Sequence, residues 1–130
     1  MTNNLLVLQS DFGWVDGAVS AMIGVALQEE PSLGVHHLTH DITPYNTFEA
    51  SYRLFQTVEY WPKGTTFVSV VDPGVGSSRK SVVALTKTGQ YIVTPDNGTL
   101  SYIKKVVGIV AVREISEVEN RRSNTELSYT

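Results

Sequence analysis

The residues from Thr66 to Val71 form an uncharged run that is rich in β-branched and aromatic side chains, and the run ends at Asp72. Such a composition is typical of a strand in the interior of a sheet. Pro73-Gly74 follow directly and predict a tight turn, and Arg79 lies at the end of the same loop. In open α/β sheets, ligands bind at the carboxyl ends of the strands. The sequence therefore predicts a carboxylate and a guanidinium on one loop at such an edge.

Strand and helix patterns alternate in the part of the chain that precedes this loop. Apolar runs at Leu5–Gln9 and Gly34–Thr39 predict two more strands. Apolar residues recur at helical spacing from Val15 to Leu27, and a second helix is expected from Thr47 to about Trp61. The order β-α-β-α-β predicts right-handed crossovers and an α/β fold, in which a three-layer, mostly parallel sheet is flanked by helices. The apolar face expected for the second helix comprises Phe48, Tyr52, Leu54, Phe55, Val58 and Trp61.

The C-terminal half carries strand patterns that follow one another closely. Ser81–Thr86 and Gln90–Thr94 flank a short polar turn, which predicts a hairpin. Pro95-Asp96-Asn97-Gly98 predicts a further turn. A short helix is expected over Leu100–Val107 and another strand over Ile109–Val112.

The composition is that of one globular domain. The 130 residues carry a formal net charge of -3, which offers no basic surface to a nucleic acid. The chain has no cysteine, so neither disulfides nor thiolate metal sites can form. It has no basic signal-peptide start and no apolar run near the ~20 residues of a membrane helix. We therefore expect a cytoplasmic protein with no membrane or nucleic acid partner, an α/β domain over residues 1–113 and a polar linker over residues 114–130.

Three histidines, His36, His37 and His40, lie close together and have the appearance of a metal cluster. On a strand, however, His36 and His37 face opposite sides, and His36 and His40 are ~13 Å apart along it. We expect these histidines to make local hydrogen bonds, and we predict no metal site.

Four motifs occur in one order along the chain: Ser10-Asp11-Phe12-Gly13, His40-Asp41-Ile42-Thr43-Pro44, Val71-Asp72-Pro73-Gly74-Val75-Gly76-Ser77-Ser78-Arg79 and Pro95-Asp96-Asn97-Gly98. In this order and at these separations, they resemble the S-adenosyl-L-methionine hydroxide adenosyltransferase family, which is related to the fluorinase and chlorinase enzymes. The resemblance is clear from Leu5 to about Leu100. Each motif alone is weak, whereas four in register are specific.

The resemblance implies a hydrolase whose substrate is S-adenosyl-L-methionine. Water or hydroxide attacks C5′, methionine leaves as a neutral thioether, and adenosine is the other product. No cofactor is implied, because the catalyst mainly desolvates and aims the nucleophile. Asp72 and Arg79 match two members of the family's catalytic Asp-Arg-His triad. The residues alone leave a second interpretation open, in which the pair is a loop salt bridge worth only ~0–1 kcal/mol.

Three residues are candidates for substrate binding. Asp11 matches the family position whose carboxylate accepts hydrogen bonds from both ribose hydroxyls, although an Asp after a strand can also cap the next helix. Tyr45 aligns with an aromatic residue that lines the pocket in relatives, and it is equally compatible with a surface tyrosine beside Pro44. Asn97 can contact substrate, but Asn-Gly is foremost a turn sequence.

The resemblance covers only the amino-terminal domain of the family. The catalytic histidine and the carboxyl-terminal β-barrel domain have no counterpart in residues 1–130. Active sites in the family lie between the two kinds of domain, contributed by neighbouring subunits of a trimer. We therefore expect a homotrimeric enzyme as the complete protein and an inactive 130-residue fragment. Two alternatives are a non-catalytic nucleoside- or S-adenosylmethionine-binding domain and a 5′-halogenase, which is disfavoured because Asp72 would repel a halide.

Overall fold

A computed structural model describes residues 3–73 and 80–116. Its strands form one six-stranded sheet in the order β2-β1-β3-β5-β4-β6. The elements, in chain order, are β1 (Leu5–Gln9), α1 (Ala18–Glu29), β2 (Gly34–Thr39), α2 (Thr47–Thr57), a 3-10 turn (Val58–Tyr60), β3 (Thr66–Ser69), β4 (Ser81–Thr86), β5 (Tyr91–Pro95), a π-helical turn (Ile103–Val107) and β6 (Ile109–Ile115).

The first half of the sheet is parallel, as the sequence predicts. β1 pairs with β2 on one side and with β3 on the other, and Val7 lies opposite both His36 and Phe67. The crossovers from β1 to β2 and from β2 to β3 run in opposite directions across the sheet. Because such crossovers are right-handed, they place α1 and α2 on opposite faces, which gives the expected three layers.

The second half adds antiparallel strands. β5 continues the parallel arrangement beside β3, whereas β4 runs antiparallel to β5 and β6. The predicted hairpin is therefore confirmed. Its turn uses Gly89 at a φ of 97°, a left-handed conformation that glycine adopts without a steric penalty. The sheet is thus mixed only at the side that is remote from β2.

The main core lies between α2 and the sheet. Val7, Phe67 and Ile92 project from three neighbouring strands and pack with Leu54 of α2 and Ile103 of the π-helical turn. α2 begins where the sequence predicts, because the Asn46 side chain accepts a hydrogen bond of 2.9 Å from the backbone N–H of Glu49. This cap fixes the start of the helix that covers the sheet.

Two details of the helices differ from the expectation. The sequence pattern predicts Val15 in the first helix, but α1 begins at Ala18 with Gly17 as its N-cap residue, and Val15 is fully exposed. Just before the helix, the Asp16 side chain accepts a hydrogen bond of 3.0 Å from the Ala18 N–H. In α2, Phe48 and Tyr52 were expected on the buried face, yet their exposures are 66% and 38%. The residues of α2 that are buried are Ala50, Ser51 and Leu54.

The remaining boundaries are close to the expected ones. β3 ends at Ser69 instead of Val71, although the Val70 N–H still donates to the Gln9 carbonyl at 3.0 Å. β6 continues to Ile115, so it runs past residue 113 into the expected linker, whose later part lies outside the described residues. In the ranges 3–73 and 80–116, no helix is long and apolar enough to span a membrane.

Candidate functional site at the carboxyl edge of the sheet

The described residues of the four sequence motifs lie at one edge of the sheet. β1, β2, β3 and β5 are mutually parallel, so their carboxyl ends point the same way. The loop after β1 carries Asp11, the loop after β2 carries Tyr45, the segment after β3 carries Asp72, and the turn at the end of β5 carries Asn97. This edge is where ligands bind in open α/β sheets.

The loops after β1 and β2 are held together by hydrogen bonds. The Asp11 carboxylate accepts one from the backbone N–H of Tyr45, at 2.7 Å. The Gly13 N–H donates to the His40 carbonyl at 2.8 Å, and the Ser10 N–H donates to the Thr39 carbonyl at 3.1 Å. Asp11 therefore lies in the middle of a joint between two loops.

This arrangement does not support the helix-cap interpretation of Asp11. The N-cap residue of α1 is Gly17, and the Asp11 carboxylate binds the Tyr45 N–H instead. Tyr45, which donates this hydrogen bond, has a φ of 65°, which is uncommon for a residue with a side chain. The residue is 67% exposed. Asp11 thus stabilises an unfavourable backbone conformation that presents an aromatic ring to solvent.

A buried histidine lies beneath this joint. His40 is fully buried; its Nδ1 lies 2.5 Å from Ser10 Oγ and its Nε2 lies 2.7 Å from His37 Nδ1. Trp14 packs its ring edge-to-face on both imidazoles, with centroid separations of 5.0 and 4.6 Å. The pKa of His40 is lowered to about 4, mainly by burial and second by the nearby His37, while Asp41 acts in the opposite direction. His40 is therefore neutral near pH 7.

The prediction of locally hydrogen-bonded histidines is correct for His37 and His40. His36 packs against Trp61 instead, with ring centroids 5.5 Å apart. Within the described parts of the chain, no three His, Asp or Glu residues are placed to hold a metal ion.

Asp72 occupies the position that the sequence predicts, at the carboxyl end of the central strand region. It is 3% exposed and follows the buried Val70 and Val71. Arg79 lies outside the described residues, so its proximity to Asp72 remains a prediction. Burial of a carboxylate is unfavourable unless polar groups hydrogen-bond to it, so the burial of Asp72 marks it as a residue with a specific role.

Asn97 connects the β5 turn to the segment before Asp72. Its side-chain N–H donates to the Val71 carbonyl at 2.9 Å, while its Oδ1 accepts from the backbone N–H and the hydroxyl of Thr99, at 3.2 and 2.7 Å. The predicted turn role of Asn97 therefore has direct structural support. Its role towards substrate remains a prediction.

Sequence reasoning missed the polar layer directly below the site. Gln9 joins three elements: it accepts from Ser69 Oγ at 2.7 Å and donates to the Ala50 carbonyl at 3.2 Å. Ser10 and His40 are likewise buried; the sequence prediction includes no role for Ser10 and only a local hydrogen bond for His40. The available signal was a pair of polar residues, Gln9-Ser10, at the end of an otherwise apolar strand. Such residues are buried only when they are hydrogen-bonded.

A separate groove of about 490 Å³ runs between the β5 turn and β6. Asp96, Asn97, Ser101 and Lys104 lie on its polar side, and its lining includes neither Asp11 nor Asp72. The groove therefore does not coincide with the joint between the β1 and β2 loops.

These observations define an α/β domain in which two acidic residues, Asp11 and Asp72, follow the carboxyl ends of neighbouring parallel strands. The profile described as "SAM hydroxide adenosyltransferase N-terminal domain" matches residues 6–130. The chain belongs to this family, which confirms the resemblance seen in the sequence.

Similar proteins agree with that assignment. The (R)-S-adenosyl-L-methionine hydrolase of Methanocaldococcus jannaschii is 36% identical over 126 residues, which are 94% of this chain and 48% of that protein. The fluorinase of an Actinoplanes species is a more distant relative, at 23% identity over 139 residues, 90% of this chain and 47% of its own. The crystal structure of an uncharacterized conserved protein from Thermotoga maritima superposes with a TM-score of 0.84 at 36% identity, over 88% of this chain and 43% of that one. The chain thus spans about half the length of the relatives it matches.

Proposed function

We propose that the protein containing this chain hydrolyses S-adenosyl-L-methionine to adenosine and L-methionine. The observation that carries the proposal is the placement of Asp11 and Asp72 at the carboxyl ends of β1 and β3, which are adjacent and parallel. The relatives named (R)-S-adenosyl-L-methionine hydrolase support the choice of substrate. In the reaction, an O–C5′ bond forms, the C5′–S bond breaks, and the water loses a proton.

In this proposal, Asp11 binds the ribose. Among the described residues, the Tyr45 N–H is the one donor to its carboxylate, and a carboxylate has about four lone-pair sites. The remaining sites suit two vicinal hydroxyl groups. Tyr45 would contribute its ring to the wall of the pocket. Asn97 would either contact the substrate or support the pocket through its hydrogen bond to the Val71 carbonyl.

Asp72 and Arg79 would orient the attacking water. The substrate sulfonium is a cation and the departing thioether is neutral, so the site has to aim a nucleophile more than it has to activate a leaving group. Burial of Asp72 favours this role because it keeps the carboxylate away from bulk water. Arg79 is permanently protonated, so it can orient and stabilise negative charge but cannot take the proton. No residue of this chain is assigned as the general base.

We extend the proposal to the complete protein as a homotrimer that acts without a metal or cofactor in the cytoplasm. The pocket would be shared between this domain and a second domain of a neighbouring subunit. Residues 1–130 alone should then bind S-adenosylmethionine weakly and turn over very little.

The test is incubation of the complete gene product with S-adenosylmethionine in the presence of a chelator. We expect adenosine and methionine, and in ¹⁸O-water we expect label in the adenosine 5′-hydroxyl. Asp72→Asn, which keeps the shape but removes the charge, should lower kcat by about 10²-fold or more. Formation of S-adenosylhomocysteine would identify a methyltransferase instead, and binding without turnover would identify a binding domain.

The fluorinase relatives motivate a halide control. Added fluoride or chloride should give no 5′-halo nucleoside, because a carboxylate at position 72 repels an anionic nucleophile. Halide-dependent product formation would contradict the assignment of water as the nucleophile.

A further inference from the structure

The hydrogen bonds around His40 form a continuous chain that ends at the Asp11 loop. The Phe12 N–H donates to Ser10 Oγ at 3.3 Å, and Ser10 Oγ in turn lies next to His40 Nδ1. His40 Nε2 then meets His37 Nδ1. Ser10 and Phe12 flank Asp11 on both sides, so this chain of contacts fixes the backbone that carries the Asp11 carboxylate.

One assignment of the hydrogens satisfies all of these contacts with a neutral His40. In it, Ser10 Oγ accepts from the Phe12 N–H and donates its hydroxyl hydrogen to His40 Nδ1. His40 then carries its hydrogen on Nε2 and donates it to His37 Nδ1. A neutral imidazole is the form that accepts at one nitrogen and donates at the other. The lowered pKa of His40 agrees with this form.

The same histidine also holds the second loop. Its own carbonyl accepts from the Gly13 N–H, and it stands just before the segment that leads to Tyr45, whose N–H binds Asp11. His40 is therefore bonded through its side chain to one end of the Asp11 loop and through its backbone to the other.

We propose that His40 is a positioning residue for the ribose of the substrate: through Ser10 it fixes the orientation of Asp11, and through its backbone it fixes the distance between the Asp11 and Tyr45 loops. This inference rests on the proposed function, in which Asp11 binds the ribose. Ser10 is fully buried, so the Ser10–His40 pair cannot serve as a nucleophile and its base. The Ser10–His40 pair can therefore act on the substrate only through the geometry of the loop that carries Asp11.

Two variants of His40 separate its two side-chain contacts. The amide of Asn reaches the position of Nδ1, and the amide of Gln reaches the position of Nε2. His40→Asn should keep the contact with Ser10, whereas His40→Gln should keep only the contact with His37. For the complete protein, we expect His40→Gln to raise the KM for S-adenosylmethionine about tenfold with little change in kcat. We expect His40→Asn to restore KM to within about twofold.

A second variant and a control guard against a general loss of folding. Ser10→Ala removes the same contact from the other side and should raise KM to a similar extent. His36→Gln is the matched control, because His36 packs on Trp61 and takes no part in this chain of hydrogen bonds. The KM of this variant for S-adenosylmethionine should equal that of the parent protein. Circular dichroism and thermal unfolding show whether each variant folds.

A double-mutant cycle tests whether His40 acts through Asp11. In an Asp11→Ala background, His40→Gln should raise KM by less than about twofold, because the group it positions is gone. A purely structural effect would multiply KM by the same factor in both backgrounds and would overturn the proposal. If Asp11→Ala weakens binding while His40→Gln and Ser10→Ala do not, the positioning role is wrong and the proposed function stands. If Asp11→Ala leaves KM unchanged, the ribose role of Asp11 is wrong, and the role of His40 falls with it.

Discussion

The Asp11 carboxylate accepts a hydrogen bond of 2.7 Å from the backbone N–H of Tyr45, and so it joins the loops after β1 and β2. Tyr45 has a φ of 65° at this point. A side chain in that region is disfavoured by steric contact with the following carbonyl, typically by about 1 kcal/mol. The bond to Asp11 offsets that cost and places the Tyr45 ring at the ligand edge.

Substitution of Tyr45 can separate backbone strain from loss of the ring. Tyr45→Gly and Tyr45→Ala both remove the aromatic group, but only glycine adopts a positive φ without strain. We expect Tyr45→Gly to unfold at a higher urea concentration than Tyr45→Ala, by about 1 kcal/mol in the free energy of unfolding. Both variants should bind S-adenosylmethionine equally weakly. Equal stability of the two would show that the φ of residue 45 relaxes when the ring is removed.

The hydrogen bonds of Asn97 predict a loss of both stability and activity. Asn97→Ala removes the donor to the Val71 carbonyl and the acceptor for Thr99, and it should lower the free energy of unfolding by about 1–3 kcal/mol. Because Val71 precedes Asp72, kcat should also fall. Asp96→Asn is the control, since Asp96 is exposed and its backbone N–H, which the change retains, binds the Lys80 carbonyl. Unchanged kcat in Asn97→Ala would restrict Asn97 to the turn.

The elements of the fold were predictable from the sequence because their signals are local. The apolar runs Leu5–Gln9 and Gly34–Thr39 became β1 and β2 with the expected bounds, and the alternation with helices fixed a parallel arrangement. The carboxyl ends of parallel strands lie at one edge of the sheet, so the common position of Asp11, Tyr45, Asp72 and Asn97 followed from the topology. The place of β6 beside β4 depends on pairing between distant segments and had no local signal.

The site was predictable only in part, for a physical reason. The positions of Asp11 and Asp72 at the carboxyl edge were predictable because each closely follows a strand; their roles towards substrate remain predictions. The local hydrogen bonds of His37 and His40 were predictable, but the partner of each was not, because His40 lies beyond the end of β2, where spacing along a strand no longer applies. There the chain turns, and His40 comes within 2.7 Å of His37. Hydrophobic periodicity assigns polar residues to the surface, so it cannot reveal that Ser10 and His40 are buried.

The corrected face of α2 leads to a prediction of stability. Leu54 is fully buried in the main core, whereas Phe48 is 66% exposed and contacts Tyr102, with ring centroids 5.5 Å apart. Leu54→Ala should lower the free energy of unfolding by about 2–5 kcal/mol through lost contacts and a cavity. Phe48→Ala should lower it by less than about 1 kcal/mol. Urea unfolding followed by tryptophan fluorescence measures both, and a larger effect for Phe48 would contradict the observed face.

The burial of His40 predicts how the stability of the fold depends on pH. Its pKa falls from an ordinary value of 6.5 to about 4, first because burial disfavours the charged form and second because His37 is nearby, with Asp41 acting in the opposite direction. Between these two values the unfolded chain binds a proton that the folded chain does not. The stabilisation is therefore complete above pH 6.5 and is lost as the pH falls towards 4, to an extent of up to about 3 kcal/mol.

Urea unfolding at a series of pH values across this window measures the effect. The free energy of unfolding should decrease as the pH is lowered, and His40→Asn should flatten that decrease because it removes the titrating imidazole while keeping a partner for Ser10. His36→Asn is the matched control: His36 is exposed on the same strand region, so its removal should leave the slope unchanged. If His40→Asn and the parent protein lose stability with the same slope, some other group carries the pH dependence, and His40 must be able to take up a proton within the folded structure.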